Sequence, residues 1–174
     1  MKVLSLQNIS HDRGTDRIIE VAELLPNCEF LVAGEVRDGM DVHYRENVIP
    51  IGYVNPEDAL EGCDVLIRLT RRGDPWGRDI IEALTMGVPV VATGTDQEFI
   101  RNGVNGFLVW PYHPVKVAKA IQDSWQLERV KDQRFGEYNI KRIERIYEYL
   151  VSYAKGDEWW DQAEPSGHKK APEV

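Results

Sequence analysis

The chain has 174 residues, 43% of them hydrophobic, and carries 21 Lys and Arg against 29 Asp and Glu for a formal net charge of −8. That length favours one domain with enough chain to bury a proper core. The acidic balance argues against a nucleic-acid or membrane-surface partner, since both attract basic proteins.

Short apolar runs alternate with helical patterns. "KVLSL" (2–6) is strand-like, and "TDRIIEVAELL" (15–25) carries Ile18, Ile19, Val21, Ala22 and Leu25 on a helical stripe that Pro26 and Asn27 close. "EFLVAG" (29–34) is a second strand, and "NVIPIGYV" (47–54) a third and less regular one. "NPEDALEGC" (55–63) opens a short helix with Asn and Pro at its start. "DVLIRLT" (64–70) is nearly all apolar except Arg68, as expected of a central strand covered on both faces. Residues 78–86 form a helix ended by Gly87, and "VPVVAT" (88–93) is the fifth strand. "DQEFIRNG" (96–103) reads as one or two helical turns, "GFLVW" (106–110) as the sixth strand and "PVKVAKAIQDSW" (114–125) as a helix.

This alternation predicts an α/β fold with a doubly wound parallel sheet over residues 1–133. Residues 134–155 form an expected amphipathic helix packed on it, with Ile140, Ile143, Ile146, Tyr147, Leu150 and Val151 on one stripe. Residues 156–174 are polar and rich in Pro and Gly, and read as a mobile tail. Trp159 and Trp160 within it either dock on the sheet's own helices or contact another chain.

Cys28 and Cys63 belong to no C-x-x-C pair and have no histidine at metal-ligand spacing, so both read as small buried core residues. His11, His43, His113 and His168 are scattered and read as surface or capping residues, and no metal site is expected. No apolar stretch approaches the roughly 20 residues that span a bilayer. The N-terminus is too short in its apolar part for a signal peptide, so a cytoplasmic location is the expectation.

Doubly wound sheets bind ligands beyond the carboxyl ends of their strands, beside helix N-termini. Residues 7–14 and the turn at 70–78 fall on that edge. The window "RLTRRGDPWGR" (68–78) holds Arg68, Arg71, Arg72 and Arg78 against Asp74. Arginine forks suit phosphate oxygens, and helix N–H groups add partial positive charge. The alternative is a solvated loop whose arginines pair with surface acids. Glu82, about one turn into the helix, is placed to accept hydroxyl hydrogen bonds from a diol such as ribose. Asp74 would reach a group further along the same ligand. Together these describe a nucleoside diphosphate carrying a sugar.

"DPWGRDIIEALTMGVPVVAT" resembles the donor-binding motif of retaining GT-B glycosyltransferases, family 4 in particular, whose pattern runs E-P-F-G, four residues, E-A, then G-x-P-V-V-A. "QEFIRNGVNGFLV" (97–109), "NISHDRG" (8–14) and "IGYV" (51–54) are similar to further segments of that family, so the resemblance covers residues 2–125. It implies a Rossmann-like C-terminal half of a GT-B fold and a donor such as a UDP-, GDP- or ADP-sugar, with no other cofactor. By that resemblance Glu82 would bind the ribose hydroxyls, Asp74 the donor sugar, and the backbone of Trp76, Gly77 and Arg78 the sugar or phosphate. Arg13 would neutralise the diphosphate leaving group, and Val54 would border the base. Asp74 is one methylene shorter than the family's glutamate. Asn8 stands in the slot of a diphosphate-binding arginine, for which Arg71, Arg72 or Arg78 would compensate.

The acceptor-binding half of such an enzyme has no counterpart in these 174 residues. Three readings follow: the donor half of a glycosyltransferase completed by another domain or chain, inactive alone; a non-catalytic nucleotide-sugar or interaction module; or a sugar-nucleotide epimerase-like domain. Homo-oligomerisation is compatible with each.

Overall fold

A computed structural model of the chain describes residues 1–37, 39–40, 45–71, 77–93 and 99–131. Six strands and four helices alternate: β1 (Lys2–Leu6), α1 (Thr15–Leu24), β2 (Glu29–Ala33), β3 (Val48–Gly52), α2 (Pro56–Glu61), β4 (Val65–Arg68), α3 (Arg78–Thr85), β5 (Val90–Ala92), β6 (Gly106–Leu108) and α4 (Pro114–Ser124). The strands form one sheet in the order β3-β2-β1-β4-β5-β6, with each neighbouring pair parallel. This is the doubly wound order of a Rossmann fold, and its direction of winding reverses between β1 and β4. Those two strands pair through Val3 with Val65 and Leu4 with Leu66. The expected helix at 134–155 and the tail at 156–174 lie outside the described residues.

Alternation along the central strands divides the core. Val3, Val65, Ile67 and Val91 join Ile18 and Val21 of α1 and Val117 and Ile121 of α4 in one cluster. Leu4, Leu66 and Val90 take the opposite positions, and are buried as completely as Leu60 of α2 and Ile80 of α3. Helix α1 meets α4, and α2 meets α3, so a helical layer forms from each pair. All four residues of β4 are buried, which is why its sequence lacks polar alternation. Cys28 and Cys63 are buried free thiols, as expected. Among the described residues no helix is long and apolar enough to cross a membrane.

Most helix boundaries fall within a residue or two of the sequence reading, and local chemistry explains them. Asn55 caps α2, its side-chain oxygen accepting from Glu57 N at 2.9 Å, with Pro56 in the first turn. Residues 99–103 differ from the helical expectation: they contain turns and an isolated bridge from Asn102 to Gly106. The asparagines are the reason. Asn105 accepts from Arg101 N at 2.7 Å and donates to Phe99 O at 3.0 Å, and Asn102 accepts from Leu108 N at 2.7 Å. Side chains that satisfy nearby backbone groups this way stabilise a turn in place of a helix.

Candidate functional site

An open cleft of about 590 Å³ lies at the carboxyl ends of the first four strands. Leu6, Gln7 and Asn8 border it from the end of β1, Ala33 and Gly34 from β2, Tyr53 and Val54 from β3, and Arg68 from β4. Arg13 enters from the β1–α1 connection, while Arg78, Asp79 and Glu82 enter from α3. The cleft therefore straddles the reversal between β1 and β4, where open α/β sheets bind ligands.

The β1–α1 connection is held in place from both sides. Ile9 N donates to Glu35 O at 2.9 Å, and Arg37 N donates to Ile9 O at 2.8 Å. Gln7 Nε2 donates to Arg13 O at 2.9 Å, and Ser10 N donates to Thr15 Oγ1 at 3.0 Å. Gly14, with φ +76°, closes the connection; a Cβ there would lie 2.0 Å from Leu69 O. Only glycine fits a backbone approach that close. Across the same gap Arg17 Nη1 donates to Thr70 O at 3.0 Å, and its guanidinium lies 4.3 Å from the Tyr112 ring centroid.

Helix α3 starts at Gly77, which serves as its N-cap without a side-chain bond, and Gly77 O accepts from Ile80 N at 2.9 Å. Ile80, Ile81, Ala83 and Leu84 face the sheet, leaving Glu82 half-buried at the cleft. Arg78 Nε approaches Glu82 Oε1 at 3.4 Å. Burial pushes the Glu82 carboxyl above the usual glutamate value, with the Arg78 charge opposing.

Of the residues singled out in the sequence, Asn8, Arg13, Val54, Arg78 and Glu82 all border this one cleft. Asp74, Trp76 and Arg72 lie outside the described residues. Arg71 is committed elsewhere: it ion-pairs with Asp16, and its Nε donates to His11 O at 3.2 Å. Asn8 faces the β2–β3 connection. Its oxygen accepts from Glu35 N at 3.4 Å, or, with the amide turned over, from Arg37 Nη2 and Nε at 3.2 and 3.3 Å. A cation, Arg37, thus stands beside the slot that Asn8 fills.

Arg68 departs most from its sequence reading. Its side chain is 6% exposed and ion-pairs with Asp79, itself 8% exposed, at the cleft floor. It is a buried, paired arginine and does not belong to a solvated basic loop. Asp79 also sits in the first turn of α3, so a carboxylate already matches the positive end of that helix. Burial pushes the Asp79 carboxyl up, against the pull of Arg68. The signal available in the sequence was an arginine inside an apolar strand, which calls for a buried partner. Among the described residues, no three His, Cys, Asp or Glu side chains gather as a metal site.

The topology, with an open cleft at the winding reversal and an acid-bearing helix beside it, defines a Rossmann-like domain. Residues 2–126 match the family described as glycosyl transferases group 1, and the chain belongs to that family. It is 27% identical over 163 residues to an uncharacterized glycosyltransferase of Methanocaldococcus jannaschii, covering 84% of this chain and 40% of that protein. It is 34% identical over 77 residues to sucrose synthase 4 of Oryza sativa, covering 43% of this chain and 10% of the rice protein. The crystal structure of Anabaena HepE in complex with UDP and glucose matches with a TM-score of 0.69 at 22% identity, over 87% of this chain and 48% of that one. The C-terminal domain of the group 1 glycosyl transferase LpcC from Francisella tularensis matches with a TM-score of 0.57 at 20% identity, over 72% and 78% of the two chains. The fold is that of the C-terminal domain of a GT-B glycosyltransferase, and the chain spans less than half the length of these curated relatives.

Proposed function

We propose that this domain binds the donor of a retaining glycosyl transfer, a nucleoside diphosphate sugar. The observation that carries the reading is the placement of Arg13 and Glu82 on one cleft at the winding reversal, from the two elements that follow β1 and β4. A carboxylate accepts two hydroxyl hydrogen bonds, which suits Glu82 to a ribose diol. Val54 and the exposed Tyr53 border the end of the cleft where a base would lie. Arg13 borders the same cleft from the β1–α1 connection and is the cation we assign to the diphosphate.

Departure of a diphosphate from the sugar is favoured where preorganised cations meet the charge that develops on it. Arg13 carries that role here, since Asp79 offsets much of the positive end of α3. Asp74 orients the sugar without attacking it. The acceptor is read by another domain or chain, so this chain alone binds donor and transfers nothing. UDP is the first nucleotide to test, because HepE was crystallised with it.

Calorimetry of the chain with UDP, GDP and ADP tests the reading. Binding is expected at micromolar to millimolar Kd for one of them, roughly 4–8 kcal/mol. No heat at millimolar concentration of any of the three overturns it and favours an interaction module.

A further inference from the structure

We propose that the buried Arg68–Asp79 pair is a positioning element of the nucleotide site, fixing the rotation of α3 on the end of β4 and thereby the place of Glu82 in the cleft. This rests on the reading that Glu82 grips the ribose diol. Arg68 is the last residue of β4, in register with Ala92 of β5, and so belongs to the rigid centre of the sheet. Asp79 is the second residue of α3. Their ion pair ties the end of β4 to the first turn of α3, directly beneath the ligand edge.

The pair is poorly arranged for stability and well arranged for direction. Both side chains are more than nine-tenths buried, and taking two charges out of water costs much of what their attraction returns. Asp79 Oδ2 is buried and accepts no hydrogen bond among the described residues, which adds to that cost. Asp79 Oδ1, by contrast, engages Arg68 Nη1. Charge-assisted hydrogen bonds are short and strongly directional, whereas the apolar contacts of Ile80, Ile81 and Leu84 have no preferred direction.

Glu82 follows Asp79 by three residues and shares its helix face, about 4.5 Å further along the axis. Both border the cleft. A rotation of α3 by about 20° carries a side-chain tip at about 5–6 Å radius through about 2 Å. That is enough to break a hydrogen bond to a ligand hydroxyl. The apolar residues of α3 hold the helix against its neighbours, and the Arg68–Asp79 pair adds the directional contact that sets its rotation.

The test replaces the pair with apolar residues of similar bulk, Arg68→Met with Asp79→Leu, in the full chain. A double-mutant cycle with Glu82→Ala is then measured by calorimetry with UDP, GDP and ADP. The paired variant is expected to melt at or above the wild-type temperature, yet to bind nucleotide about tenfold more weakly. In the wild-type background Glu82→Ala costs about tenfold or more, and in the paired variant less than about twofold. A stable variant with wild-type affinity overturns the proposal, as does a Glu82→Ala loss of equal size in both backgrounds. If the paired variant fails to fold, the same cycle is run with Asp79→Asn, which keeps the side-chain volume; a reduced Glu82 effect supports the proposal and an undiminished one overturns it. If the wild-type chain binds none of the three nucleotides, the site reading itself fails; wild-type binding together with a stable paired variant of unchanged affinity overturns this role alone.

Discussion

Arg78 Nε lies 3.4 Å from Glu82 Oε1, one turn further along α3, with the arginine side chain 89% exposed and the glutamate 36% exposed. An ion pair this open to water contributes little, about 0–1 kcal/mol. Glu82 is thus oriented by its neighbour and still available to a ligand. Arg78→Ala should change stability by no more than about 0.5 kcal/mol. Glu82→Ala should weaken nucleotide binding about tenfold or more, since it removes hydrogen bonds to a charged group. Thermal melts and calorimetry on both variants check this pair of outcomes.

Glu82 also gives the site a pH dependence in two opposite senses. Its folded-state carboxyl is raised by burial, so ionisation costs folding free energy. The stabilising contribution is complete below the unfolded value, about 4.3, and is lost as pH rises through the higher folded value. Glu82→Gln should therefore melt above wild type at pH 7 and level with it near pH 4. Nucleotide affinity runs the other way: it needs the carboxylate and falls as pH drops through the folded value. A glutamine variant whose affinity falls on acidification as steeply as wild type would contradict the assignment.

Gly14 and Gly103 both have positive φ, +76° and +74°, but only Gly14 is crowded, with a Cβ meeting Leu69 O at 2.0 Å against nothing within 4 Å at Gly103. Gly103→Ala bears only the left-handed backbone penalty, about 1 kcal/mol. Gly14→Ala must also push the β1–α1 connection away from Leu69, just past the end of β4, at about 3 kcal/mol or more in all, and should displace Arg13. Urea unfolding midpoints compared at constant m-value separate the two.

Cys63 is buried, its Sγ donating to Leu60 O at 3.3 Å, and burial pushes its thiol up to about 12. Burial raises Cys28 as well. The thiolate is the reactive form, so neither should react with an aromatic disulfide reagent at pH 8 in the native protein. Both should react in full on addition of denaturant. Rapid labelling of the native chain would show that β2 or the end of α2 opens readily.

Most of the fold was legible because each element carries its own signal. The Ile18, Val21, Ala22 stripe marks α1, and Asn55-Pro56 marks the start of α2, through interactions a few residues long. The spacing of Glu82, Gly87 and Pro89 in "EALTMGVP" was equally readable, since a helix, its stop and the next strand are consecutive in the chain. Residues 99–103 misled, because Asn102 and Asn105 close their turn through bonds whose partners a periodicity count does not include.

The sequence by itself determined that strands and helices alternate, which strands are covered on both faces, and that an acid lies one turn into the helix after the fourth strand. Only the tertiary structure decided the winding order, which brings Arg13 and Glu82 to one cleft, and the partner of Arg68. In the sequence that arginine belongs with the basic residues that follow it; in the fold it is buried against Asp79. The physical reason is that a charge inside the protein must be matched in three dimensions, and the phases of a strand and a helix joined by a turn set which acid matches it.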